Sequence, residues 1–182
     1  PDLDKLPFPL RSRRMQQRLG ENFATLVSSR GCWHSACIYC CIGAFHRSKS
    51  ARFALRSSEN VADEIAQLVE QHGVRAFQFH DDNFTLATRD QTLTRLESLA
   101  DALRSAGVDP KTIAFIIKAR PDIIDEQVGD ALRDFGCVGT FLGIENASKS
   151  GLAALNRATK MERIEEALVV LKARGIAVTY NL

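Results

Sequence analysis

Cys32, Cys37 and Cys40 lie in one short stretch, Gly31-Cys32-Trp33-His34-Ser35-Ala36-Cys37-Ile38-Tyr39-Cys40. Thiolates gathered this closely bind metal. Three of them without a matching fourth describe an iron–sulfur cluster with one iron left open for a reactant, because a closed structural zinc site takes four protein ligands. A zinc knuckle could recruit His34, His46 or Cys41 as the fourth ligand. The second Cys-x-x-Cys pair such a site normally has is missing, since the next cysteine is Cys137. Adjacent Cys40 and Cys41 point their side chains apart. A thioredoxin-type use of Cys37 and Cys40 would leave Cys32 idle. Cys137 opens an apolar run and reads as a small core residue.

The chain has 182 residues, 45% of them hydrophobic, enough to bury one sizeable core. Its formal net charge of +2 makes no general case for nucleic acid or membrane surfaces. Arg11, Arg13, Arg14 and Arg18 form a local basic run that reads as a solvated linker. No apolar stretch reaches membrane-spanning length and no secretory signal opens the chain. Clustered rather than paired cysteines fit metal chemistry in a reducing compartment, so the expected location is the cytoplasm. The chain opens Pro1-Asp2-Leu3-Asp4 and stops inside a strand-like run, so it reads as a segment of a longer protein.

The elements that must position the cysteines are a strand–helix alternation. Phe23 to Ser28 is β-prone. Ile65, Leu68 and Val69 fall at helical spacing after Val61, with Ser57 or Ser58 as N-cap and Gly73 as stop. Ala76 to Phe79 is a strand, and Leu93, Leu96, Leu99 and Leu103 mark a helix closed by Gly107. Thr112 to Ile117 is a strand, followed by a helix with Val128, Leu132 and Phe135. Val138 to Ile144 is a strand, a helix carries Ile164, Leu168 and Leu171, and Ile176 to Tyr180 begins a fifth strand. Repeated β–α units require parallel strands with right-handed crossovers, in an open sheet or a closed barrel. Polar side chains follow each strand: the cysteine loop, then Asp81, Asp82 and Asn83, then Lys118 and Arg120, then Glu145 and Asn146. All fall on the carboxyl rim, where such folds place ligands.

Ser28-Ser29-Arg30-Gly31-Cys32 followed by Cys37-Ile38-Tyr39-Cys40 resembles the cluster loop of the radical S-adenosylmethionine superfamily. The usual spacing there is Cys-x3-Cys-x2-Cys; this chain has four residues in the first interval, a variant similar to those of the cobalamin-associated branch. Asp2 to Pro9 is similar to the linker that joins a cobalamin-binding domain to the radical domain. Phe79-His80-Asp81-Asp82-Asn83-Phe84, Ala119-Arg120-Pro121-Asp122, Gly143-Ile144-Glu145-Asn146 and Leu155-Asn156-Arg157 are similar to successive strand-end motifs of that branch.

The resemblance implies a linker over 1–22 and a radical core over 23–182. That core is an α/β fold, a partial (β/α)6 TIM-like barrel of parallel strands with outer helices, about four and a half units being present. It implies a 4Fe–4S cluster held by Cys32, Cys37 and Cys40, with S-adenosylmethionine chelating the open iron and being cleaved reductively to a 5′-deoxyadenosyl radical. Asp81 and Asp82 would meet the cofactor's ammonium, Glu145 its ribose, and Arg157 or Arg120 its carboxylate. The branch implies cobalamin-dependent methyl transfer to an unactivated centre of a small-molecule or peptide substrate, with a flavodoxin- or ferredoxin-like electron donor. The alternatives are a cobalamin-independent radical enzyme (methylthiotransferase-like or oxidative) and a non-catalytic zinc or cluster module.

Overall fold

Helix starts and stops follow local chemistry. In the computed structural model, which describes residues 2–11, 23–45 and 53–182, helix α2 (Ser58–His72) begins where the Ser57 hydroxyl accepts the Asn60 N–H at 3.1 Å. It ends at Gly73, whose φ of 65° returns the chain toward the sheet. Thr88 caps α3 (Arg89–Ser105), Asp125 caps α4 (Glu126–Asp134) and Ser148 caps the short α5 (Lys149–Ala154), each accepting an N–H from the first turn. Helix α6 (Met161–Ala173) has no side-chain cap, and α1 (Ile42–Phe45) is a single turn beside the cysteines.

Five strands make the main sheet: β1 (Phe23–Leu26), β4 (Ala76–Phe79), β5 (Ala114–Ala119), β6 (Cys137–Leu142) and β7 (Ala177–Tyr180). They lie in the order β1-β4-β5-β6-β7 and every pairing is parallel. Each strand adds beside its predecessor and the winding never reverses. A doubly wound sheet would show a switch point; this progression is that of a barrel, which decides the question the periodicity left open. Two further strands, β2 (Ser29–Gly31) and β3 (Phe53–Leu55), form a separate antiparallel pair.

The core lies between the sheet and its helices. Alternation sends Phe77, Phe79, Phe115 and Ile117 to the helix side, all essentially buried. They meet Ile65 and Leu68 of α2, Leu96, Leu99 and Leu103 of α3, and Leu132 of α4. Phe115 stacks on Phe135 with ring centroids 4.5 Å apart and planes 10° apart. Thr25, Gln78, Ile116, Gly139 and Ala177 follow one another across the register on the opposite face.

Several readings change, among them the strand expected from Val138 to Ile144, which runs Cys137–Leu142. The expected Phe23 to Ser28 strand stops at Leu26, because Ser28 and Ser29 are drawn onto Asp81 and the chain then pairs with β3. The strand expected from Thr112 starts at Ala114, because Asp109 caps a 3-10 turn at Pro110–Thr112. Arg11 is not solvated: its guanidinium reaches the Thr25 carbonyl at 2.7 Å and the buried Glu64 carboxylate at 2.9 Å. Arg13, Arg14, Arg18 and His46 lie outside the described residues. Asp4 of the N-terminal stretch accepts the Ser57 N–H at 3.0 Å, so that stretch packs on the barrel. Among the described residues no helix is long and apolar enough to cross a membrane.

Candidate active site

The three cysteines share one cavity of about 150 Å3 at the carboxyl ends of the strands. Tyr39, Asp82, Asn83, Arg120, Glu145 and Arg157 line it too. They arrive from five separate loops, as barrel active sites are built. The cysteine loop runs from β2, Asp82 and Asn83 follow β4, Arg120 follows β5, Glu145 follows β6, and Arg157 follows α5. Cys32, Cys37 and Cys40 are half-buried free thiols, whereas Cys41 is exposed. Burial pushes the Cys40 thiol up, the Ile42 backbone opposes this, and the neighbouring cysteines add to the rise. Cys137 is buried in the core and pushed up to about 12 by desolvation, as suits a packing residue.

Among the described residues, no three His, Cys, Asp or Glu side chains converge on a single-ion position.

Two buried arginines shape the floor. Arg120 donates from Nε to Asp122, from Nη2 to the Arg157 carbonyl at 2.8 Å, and from Nη2 to the Thr159 hydroxyl at 3.1 Å. Its guanidinium sits 5.2 Å from the centre of the Trp33 ring, a cation–π contact. Arg157 donates from Nη2 to the Gly143 carbonyl, and its Nη1 lies 3.8 Å from Cys37 Sγ. A Cβ on Gly143 would fall 2.7 Å from Arg157 Nη2 and 3.2 Å from a Glu145 oxygen. The bare glycine is what lets these two side chains meet over it. Glu145 itself holds a φ of 69°, and its carboxylate accepts from Asn181.

Arg120 Nη1, Arg157 Nε and Asn83 Nδ2 are buried donors with no protein partner. Unpartnered buried donors are rare and costly. Here three belong to residues lining a single cavity, which suits an acceptor-rich, anionic occupant beside three thiols.

Asp81 goes elsewhere. It is fully buried, accepts the N–H of Ser28 at 2.7 Å and of Ser29 at 3.0 Å, accepts the Ser28 hydroxyl, and faces Arg95 at 3.7 Å. With both oxygens occupied by the protein, and absent from the cavity lining, it holds the base of the cysteine loop and has no oxygen free for a ligand. Asp82 lines the cavity and accepts the Gly31 N–H at 3.0 Å. Sequence reasoning missed Asn83 as a donor and Asn156 as a partner of the cysteine loop. Asn83 adjoins the two aspartates and Asn156 adjoins Arg157, but neither residue type announces such a role.

The family model described as Radical SAM superfamily matches residues 26–182. An uncharacterized methyltransferase of Pyrococcus horikoshii is 26% identical over 96% of this chain and 36% of its own length. The cytidylyl-2-hydroxyethylphosphonate methyltransferase of Streptomyces wedmorensis is 24% identical over 97% of this chain and 33% of its own. The chain thus spans about a third of the length of these curated relatives. The radical S-adenosylmethionine methyltransferase TsrM of Kitasatospora setae, solved with tryptophan substrate and an S-adenosylmethionine analogue, shares the fold. Its TM-score is 0.74 at 19% identity, covering 97% of this chain and 32% of TsrM. TsrM has also been solved with cobalamin and a [4Fe-4S] cluster bound. A barrel-type sheet, a cysteine trio at its carboxyl rim and a family match over nearly the whole chain agree: this chain belongs to the radical SAM superfamily.

Proposed function

We propose that this chain is the central part of a radical S-adenosylmethionine enzyme, in which Cys32, Cys37 and Cys40 hold a 4Fe–4S cluster. The observation that carries this reading is the cavity itself, lined by three thiols together with Asn83, Arg120 and Arg157, each of which keeps a buried donor without a protein partner. A lining with three cysteines and no fourth suits a cluster with one open iron better than a closed four-ligand zinc site. When bound, the cluster supplies the electron that splits S-adenosylmethionine into methionine and a 5′-deoxyadenosyl radical.

The protein's own work is binding and orientation. Arg157, with a free Nε, and Arg120, with a free Nη1, offer guanidinium donors to a carboxylate. Asp82 is the carboxylate available to an ammonium, the task that Asp81 cannot perform. Glu145 is set to accept from ribose hydroxyls, and the Gly143 gap keeps it beside Arg157.

We further propose methyl transfer to an unactivated centre of a small-molecule or peptide substrate, with a corrinoid as methyl carrier and a flavodoxin- or ferredoxin-like electron donor. Support comes from the methyltransferase names of two relatives and from the cobalamin bound in TsrM. Anaerobic reconstitution tests the core of this reading. Iron and sulfide at the ratio of a single 4Fe–4S cluster, with an electron paramagnetic resonance spectrum that shifts on adding S-adenosylmethionine, is the expected result. A protein that takes up zinc alone, or a cluster indifferent to S-adenosylmethionine, would overturn it.

A further inference from the structure

The interval between Cys32 and Cys37 holds Trp33, His34, Ser35 and Ala36, and little within the loop secures it. Its own backbone contributes the Cys40 N–H to Cys37 carbonyl bond at 3.2 Å, beyond the interval. Ser35 sits at a φ of 36°, unusual for a residue with a side chain. The hold comes from outside: Trp33 Nε1 donates to the Thr85 carbonyl at 2.9 Å, and the remaining contacts come from the turn that follows α5, some 120 residues along the chain.

Contacts from three consecutive residues of that turn land on the loop. The Leu155 carbonyl accepts the Ile38 N–H at 3.2 Å. The Asn156 side chain donates to the Ala36 carbonyl at 2.8 Å, and the Asn156 carbonyl lies 3.3 Å from His34 Nε2. Arg157 reaches Cys37 Sγ. Presenting these groups bends the turn: Asn156 has a φ of 51° and Ala158 one of 53°. Asparagine tolerates that region and alanine does not favour it, so the conformation is maintained by what it touches. On the other side, α1 closes against the arch, since a Cβ on Gly43 would fall 2.6 Å from the Ser35 carbonyl oxygen. Arg120 fastens the same turn to Trp33, donating to the Arg157 carbonyl while stacking on the indole.

We propose that Asn156 is a positioning residue for the cluster: its side-chain donor holds the four-residue arch so that Cys37 is presented at ligating position before any iron arrives. An arch one residue longer than the common spacing has more conformations to lose on binding, and a preformed clamp removes that cost. The idea rests on the cluster assignment above and adds to it a residue outside the ligand set. It predicts that the clamp affects how firmly iron is held, rather than whether the barrel folds.

The test compares wild type with Asn156→Asp and Asn156→Gly after anaerobic reconstitution. The aspartate keeps the size and the left-handed tolerance but replaces the donor by an acceptor facing the Ala36 carbonyl. The glycine keeps the backbone contacts and adds no charge, so it serves if the aspartate misfolds. Both variants should release iron to a chelator about fivefold faster, the size expected for one lost hydrogen bond. The reduced-cluster resonance should broaden, and the unfolding midpoint of cluster-free protein should fall only slightly, since the lost hydrogen bond is exposed. Loaded variants that release iron at the wild-type rate, or faster only in step with a lower cluster-free midpoint, overturn the inference and leave the cluster assignment standing. Wild type that takes up no cluster overturns both.

Discussion

The carboxylate of Asp81 accepts the backbone N–H of Ser28 at 2.7 Å, tying the end of β4 to the base of the cysteine loop, although the two residues lie 53 positions apart. Ser29 adds its N–H at 3.0 Å, and buried Arg95 faces the same carboxylate. Asp81→Ala leaves two backbone donors and a guanidinium buried without their acceptor. Removing half of a buried pair costs about 3–5 kcal/mol. The urea midpoint should fall accordingly, and a midpoint close to wild type would show that Asp81 does not hold this junction.

Gly143→Ala separates the site from the fold. The new methyl group meets the far end of Arg157, a flexible side chain, and a Glu145 oxygen, so the fold can yield there. The guanidinium cannot stay where it is. Affinity for S-adenosylmethionine should drop about tenfold or more, equivalent to about 1.4 kcal/mol, with a small change in thermal midpoint. Unchanged binding by titration calorimetry would argue against Arg157 as a ligand contact.

Much of this was legible in the residues. Ser57 and Gly73 bounded α2 as read, and Ala76 to Phe79 is the strand expected, because caps and alternation are local signals. The β2–β3 pair was not legible. Its strands have three residues each, too short to show alternation, and the intervening chain carries no hairpin turn signal. The grouping of Cys32, Cys37 and Cys40 was legible from their spacing, and all three line one cavity. Asp81 and Asp82 could not be told apart, because neighbouring acids differ only in which side of the chain is buried, and tertiary packing decides that.

Two helix-ending glycines should respond differently to alanine. Gly107 has a φ of 80° with open space around a prospective Cβ, so Gly107→Ala costs only backbone strain, about 1 kcal/mol. At Gly136 the φ is 95°, and a Cβ would lie 2.7 Å from the Ile113 carbonyl and 2.9 Å from that of Pro110. Backbone cannot yield as a side chain does, so Gly136→Ala adds about 1–3 kcal/mol more. Equal urea midpoints for the two variants would contradict this packing.

Cys137 supplies a pH signature. The unfolded chain ionises this thiol near its ordinary 9.0, the folded chain only near about 12. The folded state thus binds the extra proton between these values, and stability falls as pH rises through that window. Cys137→Ala should flatten the alkaline limb of the stability profile. In the native protein Cys137 should resist alkylation at pH 8, while exposed Cys41 reacts. Rapid labelling of Cys137 under native conditions would contradict its burial.

Magnetic resonance reads the proposed open coordination position directly. The reduced, reconstituted protein is mixed with S-adenosylmethionine carrying a magnetic oxygen isotope in its carboxylate, and electron–nuclear double resonance is recorded. The expected result is a hyperfine coupling that places this oxygen on an iron, present in wild type and lost when Cys32, Cys37 or Cys40 is replaced by alanine. A cluster with protein ligands on every iron and no coupling to the labelled oxygen would contradict it.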